Sequence, residues 1–348
     1  MDVSQPGAKR ASWLTYLLKF GVPLVITVGL CYMLFTGIDF NQMVAIIRDQ
    51  CDFRWIAAAL CVSVLSHVVR AMRWQLQLHA LGVRPPLWNT ILSIFGTYAV
   101  NLVFPRLGEL WRTGYIAKRQ DAQFTTVFGS MVADRLADTL TVLLLTLVTF
   151  FLAGPQLMSY LSQNAEGYER IVATLTSPWL WTCLVGCVVV AVAVVWRFRK
   201  TRAVSRLAEA AKGLWQGFAV VVSMPGRGWW LLLTVAIWSC YFFQLYLAFF
   251  AFPLTAEVVA RYGAVAVLVC FVLSSISMGV PSNGGIGPWQ WAVIFGLSLY
   301  AVPGLDKGYS TSFANLVMGT QTLLLIVLGI LTFICVSVDK RRTSTSKR

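Results

Sequence analysis

Six stretches of the chain are apolar almost throughout: 14–36, 55–79, 124–152, 179–196, 229–252 and 312–337. Each is close to the ~20 residues that a helix needs to cross the hydrocarbon of a bilayer. Two further apolar pieces are shorter and broken. The first, 88–104, is stopped by Pro105 and followed by an amphipathic piece to about 119. The second, 262–280, is stopped by the turn-forming run Pro281 to Pro288 and followed by a short apolar piece to about 301. The pattern predicts an all-α polytopic membrane protein with about eight apolar segments.

The charges between the segments fix how they cross. Arg197, Arg199, Lys200, Arg202, Arg206, Lys212 and Arg227 follow the fourth long segment, and Lys340, Arg341, Arg342, Lys347 and Arg348 follow the last. Lys and Arg collect in cytoplasmic loops, so the basic loop 197–228 and both termini are expected on the cytoplasmic side. The loops 37–54, 154–178, 253–261 and 302–311 are poor in Lys and Arg and are expected outside. Parity then decides the broken pieces. If 88–104 crossed alone, the basic loop would fall outside. The reading that satisfies every loop has six full transmembrane helices plus two re-entrant hairpins, about 88–119 and 262–301, entering from opposite faces. Residues 1–348 then form one integral membrane domain. Residues 40–49 read as a short outer helix. The mixed stretch 203–222 reads as a helix on the cytoplasmic face able to touch anionic lipid, or as a solvated connector.

Composition agrees. Apolar residues make up 58% of the chain and mean hydropathy is +0.71, which excludes an ordinary soluble domain. The net charge of +14 lies near segment ends, so it marks cytoplasmic loops rather than nucleic-acid binding. The eight cysteines sit mostly in apolar runs without a Cys-x-x-Cys pair and read as small hydrophobes. Lys9, Arg10 and Lys19 precede the first apolar run, which lacks a small-residue cleavage site, as expected for an uncleaved anchor.

One stretch departs from this pattern. Arg106, Glu109 and Arg112 follow Pro105 at i, i+3, i+6, and Asp134, Arg135 and Asp138 lie inside the third long apolar segment. Asp134 stands about ten residues into a helix beginning near Phe124, roughly 15 Å along it and near the middle of the hydrocarbon. A charge facing lipid there costs about 2.5–3.5 kcal/mol on insertion scales. The six charges must therefore pair with one another or line a cavity. The simplest pairing joins Glu109 to Arg106 or Arg112, and Arg135 to the two aspartates. Asn101 adds an amide just before the hairpin tip. Arg70 and Arg73 either snorkel to the cytoplasmic interface beside Trp74 or extend a cationic lining. His67 reads as a packed helix residue. Gly284, Gly285 and Gly287 permit a sharp turn, and free amides ahead of a helix starting near Trp289 would favour an anion.

Taken together, Pro105, Arg106, Gly108, Glu109 and Arg112, then Asp134, Arg135 and Asp138, then Pro281, Gly284, Gly285 and Gly287, with Arg70, Arg73 and Trp74, resemble the transmembrane region of the lysylphosphatidylglycerol synthase family, the flippase-like membrane proteins. In two places the chain departs from the family pattern. Asp134 stands where a Glu is usual, and Trp289 and Gln290 stand where an acidic residue often follows the glycine turn. The sequence stops soon after the last apolar segment, so the aminoacyl transfer that the resemblance assigns to a soluble domain is not expected.

The resemblance implies a lipid translocase of the cytoplasmic (inner) membrane, without enzymatic chemistry or cofactor, whose partner is a membrane lipid with an anionic phosphate headgroup. Its expected substrate-binding residues are Asn101, Arg106, Glu109, Arg112, Asp134, Arg135, Asp138, Arg73, Gly284, Gly285 and Gly287. Arg106, Arg112 and Arg135 would hold phosphate, and the carboxylates would orient them. The alternative is a membrane-embedded lipid-modifying enzyme or an accessory subunit to a glycosyltransferase that uses a lipid carrier. Against it stand the absence of an Asp-rich magnesium motif and the presence of only two histidines.

Overall fold

A computed structural model describes residues 40–163, 224–280 and 282–345, with a few isolated positions between 177 and 186. The segment expected at 14–36, nearly all of 179–196, the surface helix expected over 203–222 and most of the basic loop lie outside the described residues. Among those described, the chain is all helical. Its helices are α1 (Phe40–Gln50), α2 (Phe53–Ala80), α3 (Leu87–Val103), α4 (Leu107–Arg119), α5 (Phe124–Gln163), α6 (Arg227–Phe249), α7 (Pro253–Tyr262), α8 (Ala264–Ser277), α9 (Pro288–Ser298) and α10 (Lys307–Thr345). Four of them are long and apolar enough to cross a membrane: α2, α5 to Gly154, α6, and α10 to Val338. The bent pair α7–α8 brings the number to five if it is counted as one span.

Two expected loops are helical instead. Residues 154–163 continue α5, because nothing between Phe150 and Gln163 except Pro155 opposes the helix. Residues 253–261 form α7, started by Pro253 in its first turn and ended by Gly263 at φ +69°. The chain bends by 112° between α7 and α8. The short helix expected over 40–49 is present as α1.

The long helices α2 and α6 run antiparallel. Asp52 N–H donates to Ala251 O at 2.8 Å at one end of the pair, and Asp52 also caps α2 by accepting from Arg54 N–H. Around this pair the two broken segments fold as helical hairpins. In the first, α3 lies against α4. Pro105 cannot donate to a continuing helix, and Arg106 takes a left-handed conformation (φ 61°, ψ 4°) that reverses the chain. In the second, α8 lies against α9 across the turn 278–287, where Gly284, Gly285 and Gly287 have φ of 63°, 86° and 95°. The first hairpin opens beside the C-terminal end of α2, where Gln75 Nε2 donates to Pro85 O at 2.8 Å. The second follows α6 through α7 and so opens at the other end of the pair.

Small residues let both hairpins close. A Cβ on Gly108 would stand 2.1 Å from Thr97 O, and one on Gly296 would stand 2.7 Å from Cys270 Sγ. Gly329 of α10 meets Ala99 of α3 in the same way, at 2.3 Å. The largest apolar cluster lies where α6, α7, α8, α9 and α10 converge, around Phe249, Phe252, Val267, Val293 and Phe313. A second, around Trp74, Ile94, Ile116 and Val127, joins α2 and the first hairpin to α5.

Gly108→Ala should pry α3 from α4, because the obstructing Thr97 oxygen is backbone and cannot rotate away. The expected loss is about 1–3 kcal/mol, read as a lower unfolding midpoint in detergent. Gly114 lies on the same helix with nothing within 4 Å of its would-be Cβ. Its replacement by Ala should be neutral, or stabilising by up to ~1 kcal/mol. Equal effects at both positions would rule out close hairpin packing as the reason for Gly108.

Candidate functional site: a buried ion cluster beside a cavity

Arg70 and Arg73 lie at i, i+3 on α2, and Asp134 and Asp138 at i, i+4 on α5, so each pair presents one helix face. The two faces meet. Arg73 donates from Nε (3.0 Å) and Nη2 (2.6 Å) to Asp134 Oδ1, and from Nη2 to Asp138 Oδ1 at 2.7 Å. Arg70 donates from Nη1 to Asp138 Oδ2 at 2.8 Å and to Asp134 Oδ2 at 3.5 Å. The remaining guanidinium protons are partly used as well: Arg70 Nε donates to Tyr241 Oη at 3.0 Å, and Arg73 Nη1 to Thr234 Oγ1 at 3.3 Å. Asp134 and Arg73 are fully buried and Arg70 nearly so. Buried ions survive only when paired and hydrogen-bonded, and this cluster meets that condition across three helices.

Arg112 meets it only in part, being paired but not hydrogen-bonded. It is fully buried, its guanidinium stacked 4.5 Å over the ring of Trp74 and 3.6 Å from Asp134 Oδ2. None of its three side-chain nitrogens has a hydrogen-bond partner among the described residues.

A second strand of the network runs along the hairpin. Arg135 Nη2 donates to Glu109 Oε1 at 2.9 Å, Asn101 Nδ2 donates to Glu109 Oε2 at 3.2 Å, and Gly108 N–H donates to Asn101 Oδ1 at 2.8 Å. Asn101 thus ties the two limbs of the hairpin together and presents Glu109 to Arg135.

At the hairpin tips the halves touch. Arg106, exposed and left-handed, donates from Nη2 to Gly279 O at 3.0 Å. A Cβ on Gly284 would lie 2.6 Å from Leu102 Cδ2.

Beside these contacts lies a cavity of ≈ 320 Å³ bounded by α2, α3, α5, α6, α8, α9, α10 and the second turn. Arg70, Arg135 and Asp138 supply its charged wall, and much of the rest is aromatic or apolar, including Tyr98, Trp238, Tyr241, Phe271 and Trp289. Its size falls at the low end of the ~300–1,000 Å³ typical of small-molecule sites.

The sequence-predicted residues divide accordingly. Arg135, Asp138 and Gly284 line the cavity. Arg73, Asp134 and Arg112 are packed out of it, in the ion cluster. Glu109 and Asn101 position Arg135. Arg106 is bound to Gly279 and not to the cluster. The simple pairing expected for the acids is replaced: Glu109 pairs with Arg135, and the aspartates pair with Arg70, Arg73 and Arg112, because α2 supplies two cations at matching height. Arg70 and Arg73 therefore do not snorkel. Gly285 and Gly287 shape the turn without lining the cavity. The Gly287 amide is not free for an anion either, since it donates to Gln290 Oε1 at 2.7 Å, and Pro288 has no N–H. The sequence reading missed His67, Tyr98, Tyr241, Gln244 and Gln321 as lining residues. The polar side chains of Gln244 and Gln321 inside apolar spans were the available signal.

Residues 21–329 match the family described as the lysylphosphatidylglycerol synthase TM region, and the chain belongs to that family. Among curated proteins it is similar to "Glycosyltransferase AglD" of Haloferax volcanii, 29% identical over 120 residues. That alignment covers 34% of this chain and 19% of the length of AglD. No solved structure matches the chain significantly.

Asp134→Asn leaves Arg73 and Arg112 against a neutral amide in a buried site. The expected cost is about 3–5 kcal/mol, read as a lower unfolding midpoint by tryptophan fluorescence in detergent. Arg73→Leu combined with Asp134→Leu should cost less than the two single changes summed, since neither charge is then stranded. Strict additivity would show that the two residues do not act as a pair.

Proposed function

We propose that this chain is a lipid translocase that moves a phosphate-bearing membrane lipid, or a lipid-linked precursor, across the cytoplasmic (inner) membrane. The carrying observation is a cavity with a cationic wall, placed between two helical hairpins that open at opposite ends of the α2–α6 pair. Non-helical backbone at membrane depth is tolerated only around protein or a wet cavity, and paired broken helices mark midplane sites in transporters. On this reading both hairpins are re-entrant, with 81–86 and 120–123 on the cytoplasmic side and α1, α7 and 299–306 outside. Both termini and the basic loop are cytoplasmic, and the loop's cations rest against anionic lipid.

The headgroup enters the cavity while its acyl or prenyl tails stay in the bilayer. Arg135 and Arg70 hold the phosphate by charge-assisted hydrogen bonds, to which the planar guanidinium fork is suited. Asp138 and Glu109 keep the two forks oriented. Arg106, linking the hairpin tips, is released when the halves rock apart. No covalent step is assigned to the cavity. The similarity to a protein named a glycosyltransferase favours one second reading, an accessory subunit that presents a lipid carrier to such an enzyme. Covalently altered lipid appearing only with that partner would select it.

Two measurements test the proposal. Purified protein in liposomes with acyl-chain-labelled lipids, followed by dithionite quenching, should accelerate leaflet exchange of phosphate-bearing lipid. Arg135→Gln should slow it about tenfold or more, the loss of one charge-assisted hydrogen bond of roughly 1.5–3 kcal/mol. Exchange at the protein-free rate, or an unaffected Arg135→Gln, would sink the translocase. For topology, cysteines placed at Gly82 and Asp121 should react with an impermeant maleimide only from the cytoplasmic side, and at Gly263 and Gly304 only from outside. Labelling of all four from one side would overturn the hairpin arrangement.

A further inference from the structure

The cavity carries more than a phosphate needs. Away from its charged wall, the cavity is also lined by polar side chains of α6, α8 and α10, and their hydrogen bonds leave acceptor lone pairs unused. Gln244 Nε2 donates to Gln321 Oε1 at 3.0 Å, and Gln321 Nε2 donates to Ser63 Oγ at 2.8 Å. Gln244 Oε1 is therefore left without a protein donor among the described residues. Ser275 Oγ and Thr322 Oγ1 give their protons to the backbone oxygens of Phe271 and Met318, at 2.7 and 2.8 Å, and keep their lone pairs. His67 lines the same cavity, buried, with neither ring nitrogen hydrogen-bonded. A phosphate diester has only acceptors and satisfies none of these oxygens. Its complement is a group that brings O–H or N–H donors.

Charge separates those two. The adjoining network sets Arg70, Arg73, Arg112 and Arg135 against Glu109, Asp134 and Asp138, four cations to three carboxylates. One positive charge is unbalanced; a phosphate at Arg70 and Arg135 offsets it, and an ammonium on the same headgroup would restore an uncompensated charge at low local dielectric. Hydroxyls add none. Aromatic faces, as at Trp238, Tyr241 and Trp289, suit the C–H surfaces of a polyol.

Resting on the translocase reading, we propose that the cavity selects a phosphate ester that also carries a neutral, polyhydroxylated group, a sugar or a glycerol, and discriminates against an amine-bearing headgroup. Phosphate meets Arg70 and Arg135. Hydroxyls donate to Gln244 Oε1, Ser275 Oγ and Thr322 Oγ1.

The test is equilibrium binding to the purified full chain in neutral detergent, read by tryptophan fluorescence because Trp238 and Trp289 line the cavity. Its probes are short-chain phosphatidylinositol, phosphatidylglycerol, phosphatidic acid and phosphatidylethanolamine. Two or more hydrogen bonds of about 1 kcal/mol each give the hydroxylated lipids at least a tenfold advantage over phosphatidic acid, and the uncompensated ammonium places phosphatidylethanolamine below them as well. Gln244→Leu should narrow the ratio of phosphatidylinositol to phosphatidic acid to less than threefold. Because Gln244 also joins α6 to α10, Ser275→Ala, which loses only a bond within its own helix, should narrow the ratio independently. Phosphatidic acid or phosphatidylethanolamine binding as tightly as phosphatidylinositol overturns the selectivity and leaves the translocase reading intact. A ratio unmoved by both variants overturns the assignment of these acceptors. Failure of every phospholipid to bind removes the phosphate site and this inference together.

Discussion

Four arginines and three carboxylates meet inside a helical bundle, and the other contacts are arranged so that five of these ions, Arg70, Arg73, Arg112, Asp134 and Asp138, can be buried. An isolated ion there would cost several kcal/mol even after relaxation. The compensation requires α2 and α5 to meet with Arg70 and Arg73 at the height of Asp134 and Asp138. A slip of one residue in either helix rotates its side chains by about 100° and strands all four. Trp74 and Ser130 reinforce the register, since Trp74 Nε1 donates to Ser130 Oγ at 3.1 Å while its ring carries Arg112.

The hairpins depend on this register and extend it. Gly108 closes the first, Asn101 ties its limbs, and Glu109 then reaches Arg135 on α5. The second hairpin carries no charged side chain between Ala264 and Ser298, and its contacts with the first include a van der Waals approach at Gly284 and a hydrogen bond from Arg106. The asymmetry has a physical consequence. The ion-bearing half is fixed by many directional bonds, while the tip hydrogen bond from Arg106 comes from an exposed, left-handed residue. Any relative motion of the halves breaks the second kind of contact first.

The four described long helices, the two helix-turn-helix pairs (though not their re-entrant placement) and the residue types of the site could be read in the sequence, for a plain reason. Hydrophobic length and helix breakers are local signals, and a charge at mid-helix is conspicuous in any apolar run. Helix α5 starts at Phe124 as the pattern predicts, which places Asp134 ten residues along it. Pairing was not legible, because it depends on the relative height and rotation of helices far apart in sequence. Arg73 and Asp134 are 61 residues apart, and nothing local told Arg73 to turn inward rather than snorkel. Nor could spacing separate Arg135, which lines the cavity, from Arg112, which shares the cluster but lies behind Trp74. The helix α7 was missed because its ten residues are neither long nor strongly apolar.

On the proposed translocase reading, the division between the cavity wall and the cluster behind it bears on how a charged headgroup could pass without being trapped. A site made of four unpaired arginines would hold phosphate too tightly to release it. Here Arg73 and Arg70 are largely neutralised by the aspartates, and Arg135 is shared with Glu109, so a headgroup competes with existing carboxylate partners rather than meeting bare cations. Exchange of one anion for another at a fixed guanidinium changes little in energy between the empty and occupied states. That near-balance is what a carrier requires, and it follows from pairing nearly every cation while leaving a single positive charge in excess.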